Sequence, residues 1–169
     1  MSPRIVLIGP MGAGKTTVAE RLGERWQLPV RDTDQDVESE TGRTISDIFV
    51  ESGEAHFREL ERAAVARALA EHEGVLSLGG GAVLDPETRA HLSGHTVVFL
   101  EVGLAEAVRR VGLGTGRPLL LGNVRGRIKA LLDERTPIYR SVATHSVSTD
   151  ELDPDEVAAR IIDLVEEKP

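Results

Sequence analysis

The sequence predicts an α/β domain built on an open parallel sheet with helices on both faces, and three observations carry that expectation. Short runs rich in Val, Ile and Leu recur along the chain, longer stretches of helical periodicity separate them, and the first run ends in a glycine-rich turn, GPMGAGKT, at residues 9–16. Strands covered on both faces read as continuous apolar runs, and their alternation with helices marks parallel strands joined by crossovers.

The expected strands are RIVLI (4–8), LPV (28–30), GVLSL (74–78), HTVVFLEV (95–102) and THSVS (144–148). Helices are expected at 16–26, 53–72, 104–111, 125–140 and 154–166. The last starts at Pro154 with Asp153 as its N-cap, because proline lacks only an N–H that a first helical turn leaves unpaired anyway. Residues 33–52 read as a small helical insertion after the second strand, with Ile45, Ile48 and Phe49 on one apolar face. Residues 112–124, GLGTGRPLLLGNV, have no clean period, which suits a mobile lid and equally a plain surface loop.

With 169 residues the chain has the size of one domain, 1–169, able to bury a single core. Its formal net charge of -8 and pI of about 5.2 repel polyanions, so neither nucleic acid nor an anionic membrane is an expected partner. Any bound anion must be drawn by a local basic site. Cysteine is absent, which excludes disulfides and thiolate metal sites and fits a reducing compartment, so the cytoplasm is the expected location. The apolar run near the N-terminus, Ile5 to Ile8, is too short for a signal-peptide core or a membrane span. Only five aromatic side chains are present, too few for a base-stacking platform.

GPMGAGKT matches G-x-x-x-x-G-K-[ST], the P-loop, with a strand before it and a helix after it. Its glycines let consecutive N–H groups, from Gly12 through Ala13, Gly14 and Lys15 to Thr16 and Thr17, turn toward phosphate oxygens at the positive end of a helix. Lys15 then reaches the β and γ phosphates and the Thr16 hydroxyl ligates Mg²⁺. The plainer alternative is a structural turn. Mg²⁺ takes hard oxygen ligands, and Asp32, at the end of the second strand, is either such a partner or a helix cap. Five arginines at element ends, Arg58, Arg109, Arg110, Arg117 and Arg135, are solvated helix faces or, taken with the P-loop, the grip on a small anionic acceptor. No N-K-x-D segment of a GTP switch is present.

The P-loop, DTD at 32–34, FR at 57–58, SLGGGAV at 77–83, RPLL at 117–120 and R-x-P-x-Y at Arg135, Pro137 and Tyr139 together resemble shikimate kinase, and most of all its actinobacterial members. The resemblance runs from about residue 4 to 148. It implies a nucleoside-monophosphate-kinase-like three-layer fold with a five-stranded parallel sheet in the order 2-3-1-4-5, a substrate-binding subdomain at about 33–61 and a lid at about 112–124. It implies the use of ATP and Mg²⁺, shikimate as the acceptor and a place in aromatic amino acid biosynthesis; the chain is expected to be a monomer.

Carried over by the resemblance, Asp34 hydrogen-bonds the shikimate hydroxyls and is the candidate base, while Asp32 faces the metal beside Thr16. Two residues of spacing on an extended segment would put both acids on one side. Asp36 has no carried role and reads as an exposed acid in the first turn of the next helix. Arg58 and Arg135 grip the carboxylate, and Gly79, Gly80 and Gly81 bring backbone N–H groups to the acceptor, whose volume any side chain there would occupy. Arg117 closes onto the phosphates with Lys15, Arg110 lies against the adenine near Pro154, and Phe49, Phe57 and Glu61 line or support the pocket. Ser77 reads as support for the magnesium shell or as a buried strand serine. The rival functions are another small-molecule kinase of this fold, such as a gluconate or nucleotide kinase, and a non-catalytic nucleotide-binding module.

Overall fold

The computed structural model describes residues 2–115 and 124–166. Five strands, β1 (Ile5–Ile8), β2 (Val30–Asp32), β3 (Val75–Ser77), β4 (Val97–Glu101) and β5 (His145–Ser148), form one parallel sheet in the order β2-β3-β1-β4-β5. The topological switch point therefore falls beside β1, and the turn carrying GPMGAGKT leaves the sheet there.

Side-chain alternation along the strands sorts the core into two layers. Ile5, Leu7, Val75, Val98 and Leu100 face α1 (Lys15–Trp26) and α8 (Pro154–Glu166), where they meet Val18, Leu22, Val157 and Ile161. Val6, Ile8, Leu76, Val97 and Phe99 face the other way, onto Val65 and Ala68 of α4 (Glu54–Glu71), Leu92 of α5 (Pro86–Leu92) and Tyr139 of α7 (Val124–Val142). A third, smaller cluster holds Val37 of α2 (Thr33–Thr41), Ile48 of α3 (Ile45–Ser52), and Phe57 and Ala64 of α4. It fixes the insertion to the main body.

Several expectations need correction. The second strand runs over 30–32 rather than 28–30, because Gln27 closes α1 in a left-handed conformation and residues 28–29 only lead into the sheet. The insertion is two helices, broken where Gly42 (φ 66°) ends α2 and Thr44 caps α3. Within it Ile48 is buried, but Phe49 is 37 % exposed. Helix α5 was not expected, although Asp85 and Pro86 begin it with the same cap and proline that begin α8. At α8 itself Asp153 and Glu156 form a reciprocal capping box, the Glu156 N–H donating to Asp153 Oδ1 and the Asp153 N–H to Glu156 Oε1. Helix α6 begins at Leu104 and continues to Thr115. Most of the lid expected at 112–124, Arg117 included, lies outside the described residues.

Candidate active site

The P-loop is shaped by backbone constraints that its glycines meet. Gly9 has φ of 150° and packs so closely on β4 that a methyl carbon there would lie 2.7 Å from the Leu100 carbonyl oxygen. Gly14, at φ 87°, is the left-handed N-cap of α1 and offers no side chain to cap it, so the first N–H groups of the helix stay available to an anion. The Lys15 ammonium folds back over the loop and donates to the carbonyls of Gly9 (2.6 Å) and Pro10 (3.0 Å). Burial pulls its pKa down to about 8, against the opposing charges of Asp34 and Asp32.

A cleft of about 600 Å³ opens from this loop across the carboxyl ends of β1, β2 and β3. Its phosphate end is lined by Gly12, Gly14, Lys15, Thr16 and Thr17 and its far end by Asp34, Phe57, Arg58, Glu61 and Arg135. Gly79, Gly80 and Gly81 form the wall between. Asp34 is not on an extended segment. Asp32 ends β2 and is the N-cap of α2, its Oδ1 accepting from the N–H groups of Asp34 (2.8 Å) and Gln35 (3.3 Å), so Asp34 projects from the first helical turn. The two acids share a side because a cap and a helix start replace the expected strand spacing. Asp36 is likewise not a free exposed acid: its carboxylate pairs with Arg31 at 2.6 Å.

The Asp34 Oδ1 is buried without a protein partner among the described residues. Burial, followed by the charges of Asp32 and Glu61, pushes the carboxyl up to about 6, while Lys15 opposes the shift. At the far end Arg58 Nη1 donates to Glu61 Oε1 at 2.8 Å, and its guanidinium lies over the Phe57 ring, 5.3 Å from the centroid. Glu61 is buried, which raises its pKa, and Arg58 works against that rise. The Arg135 Nε is a second buried group without a protein partner among the described residues. Two cations and one unpaired carboxylate thus face one space. That set suits an acceptor bearing both a carboxylate and a hydroxyl.

At Gly79 and Gly81 a different demand for glycine comes first. A methyl carbon on Gly79 would lie 2.5 Å from Asp34 Oδ1, and one on Gly81 would lie 2.5 Å from Arg58 Nη2. The volume there belongs to the protein's own functional groups. At Gly80 the nearest atoms would be 3.6 Å away or more, ordinary contact. Phe49 does not line the cleft; it backs Phe57, with ring centroids 5.0 Å apart. Trp26 does no work in the cleft, donating from Nε1 to Glu166 and packing under Arg4.

On the other side of the P-loop a second cavity of about 670 Å³ is lined by Ala13, Arg110, Leu152 and Pro154 among others, and it shares Gly14, Thr17 and Arg110 with the first. Arg110 is held by three neighbours, donating to the Gly12 carbonyl (2.9 Å), to Thr149 and to Glu106. A smaller recess joins Thr16, Asp32 and Ser77. The Ser77 Oγ is buried there without a protein partner among the described residues, so two hydroxyls and a carboxylate converge and fit a hard, oxygen-seeking cation.

Two contributors escaped the sequence reading. The Thr33 hydroxyl accepts from the Gly79 N–H (3.4 Å) and the Tyr139 hydroxyl donates to the Gly80 carbonyl (2.6 Å). Both stand inside quoted motifs, DTD and R-x-P-x-Y, and that was their only signal.

A P-loop at the switch point of a five-stranded 2-3-1-4-5 sheet, opening on one side to a cavity of about 670 Å³ beside Arg110 and on the other to a cleft furnished with Asp34, Arg58 and Arg135, defines a small-molecule phosphotransferase. Comparison with known proteins narrows the class. The family model described as shikimate kinase matches residues 11–166. Shikimate kinase of Thermobifida fusca (strain YX) is 60 % identical over 159 residues, 94 % of this chain and 92 % of its own. That of Streptomyces coelicolor is 52 % identical over 167 residues, 99 % of this chain and 98 % of its own. The solved structure of shikimate kinase from Acinetobacter baumannii in complex with shikimate matches with a TM-score of 0.90 at 34 % identity, covering 98 % of this chain and 93 % of the other. The chain belongs to the shikimate kinase family and is an ATP-dependent phosphotransferase.

Proposed function

We propose that the chain transfers the γ-phosphoryl group of ATP to the 3-hydroxyl of shikimate, giving shikimate 3-phosphate and ADP, and that the residues of the two cavities divide the work as follows. The observation that carries this reading is the unpaired Asp34 carboxylate set in one cleft between the P-loop and the Arg58 and Arg135 guanidinium groups. Asp34 orients the attacking hydroxyl and takes its proton as the bond to phosphorus forms. A carboxyl with a pKa near 6 is ionised at neutral pH yet basic enough for that task. Arg58 and Arg135 hold the shikimate carboxylate, which fixes the hydroxyl in line with the phosphate.

Lys15 leaves its two carbonyl contacts for the phosphate oxygens, whose negative charge it stabilises together with the N–H groups of the loop from Gly12 to Thr17. The adenine takes the second cavity, between Arg110 and Pro154. Arg117 and the lid at about 112–124 complete the phosphate shell in this reading, which rests for them on the family resemblance alone. Thr16 and Asp32, with Ser77 behind them, would hold Mg²⁺, which would supply positive charge against the phosphates. Phe57 and Glu61 shape the acceptor end, and Phe49 supports Phe57 from behind. The reading takes the enzyme as a monomer working in the cytoplasm, the compartment that a chain without cysteine suits. No described helix is long and apolar enough to cross a membrane.

The test is ADP release by the purified protein with Mg-ATP and shikimate, beside gluconate and AMP as control acceptors. Release that depends on shikimate supports the assignment. Turnover of a control acceptor alone would leave the phosphate site standing and remove the substrate, and silence with all three would favour a nucleotide-binding module.

A further inference from the structure

Tyr139 is fully buried in the apolar layer of Val6, Ile8, Leu76 and Phe99, with its ring stacked on Phe99 at 4.9 Å and 26°. Phenylalanine would fill that space equally well, so packing alone does not call for a phenol. The hydroxyl reaches out of the layer and donates to the Gly80 carbonyl at 2.6 Å. No described peptide bond is cis, so the Gly80 carbonyl oxygen and the Gly81 N–H lie on opposite sides of the chain. Tying the oxygen to the core therefore turns the Gly81 N–H outward, and Gly80 and Gly81 both line the acceptor cleft. Neither glycine's N–H has a backbone or side-chain acceptor among the described residues. Arg135 stands one turn before Tyr139 on the same helix and lines the same cleft.

We infer that Tyr139 is a positioning residue for acceptor binding: its hydroxyl sets the Gly80–Gly81 peptide so that the Gly81 N–H meets the acceptor. The helical turn that supplies the Arg135 guanidinium thereby also sets the loop facing it. The inference rests on the acceptor assignment made above.

Tyr139→Phe keeps the packing and removes the tie. Its expected effect is a rise in the KM for shikimate of about five- to tenfold, the weight of one hydrogen bond, with the KM for ATP unchanged. Phe99→Leu is the control. It loosens the same layer and lowers thermal stability but keeps the hydroxyl, and it should leave the shikimate KM within about twofold. A Tyr139→Phe protein that loses stability with no selective change in shikimate KM would overturn the inference, as would a Phe99→Leu protein with an equal rise. Should Tyr139→Phe not fold, NMR of the wild-type protein decides. A slowly exchanging Tyr139 hydroxyl proton close to the Gly80–Gly81 peptide, with a Gly81 amide shift on adding shikimate, supports the positioning role, and the absence of either refutes it. Wild-type protein that does not turn over shikimate at all marks failure of the acceptor assignment itself, and the inference falls with it.

Discussion

The carboxylate of Asp34 occupies the space that a side chain at residue 79 would need: a methyl carbon on Gly79 would stand 2.5 Å from Asp34 Oδ1 and 3.0 Å from its Cγ. Glycine at 79 is thus a condition for where the acid sits. The backbone of the wall makes no such demand, since Gly79 is not among the positive-φ glycines.

Gly79→Ala should accordingly leave the fold intact and move the acid. The added methyl meets the end of a side chain, which can swing away, and no backbone atom is among its nearest neighbours. A displacement of the order of 1 Å in a reacting group is worth about 10²-fold in rate. We expect kcat to fall by about that factor with the KM for ATP and the melting temperature little changed. Steady-state kinetics and a thermal melt on one preparation check it, and a retained kcat would detach Asp34 from the chemistry.

Asp34→Asn carries a stability signature with a definite sign. The folded state holds the Asp34 proton up to about 6, whereas the ordinary value is 3.8. The cost of burying the charge is absent below pH 4 and complete above about pH 6, so native stability falls as pH rises through that window. Two pKa units correspond to about 3 kcal/mol. Asn is neutral throughout, so the variant should be more stable than wild type at pH 8 by up to that amount and show no advantage at pH 4. Denaturant melts at the two pH values measure it; transfer should be abolished in the variant while ATP affinity, read by calorimetry, is retained.

The pH dependence of kcat/KM should be bell-shaped. The acid limb follows Asp34, which must lose its proton to act as base, and lies near 6. The alkaline limb follows Lys15, which loses its charge near 8. Lys15→Arg replaces the ammonium by a group that stays charged, so its profile should keep the acid limb and lose the alkaline one, at a lower plateau. An alkaline limb that persists in Lys15→Arg would assign the upper value to another group.

What could be read from the sequence was what local chemistry determines. The P-loop needs glycine at positions 9 and 14 for backbone reasons, and α8 is announced by Asp153 and Pro154. Helix α5 carries the same announcement at Asp85 and Pro86, but with seven residues it is too short for its apolar period to stand out. The pairing of Asp32 with Asp34 was anticipated on strand geometry that the protein does not use. A helix cap reaches the same outcome, and a two-residue spacing cannot distinguish the two. Least accessible were relations between distant segments. That Gly79 yields to Asp34, Gly81 to Arg58, and that Tyr139 holds Gly80 depends on how β3, α2, α4 and α7 pack, which no local pattern encodes.

The two cavities meet at Gly14, Thr17 and Arg110, both take further lining from residues 11–18, and beyond that segment they draw on different stretches of chain. One is furnished by residues 32–61, 77–81 and 131–135, the other by residues 106–110 and 149–157. The molecule is in this sense modular. Its acceptor compartment can be recut, by design or by descent, within those three windows while residues 106–110 and 149–157 are inherited whole, so a change of substrate that keeps Asp32 and Ser77 need not disturb the energy source.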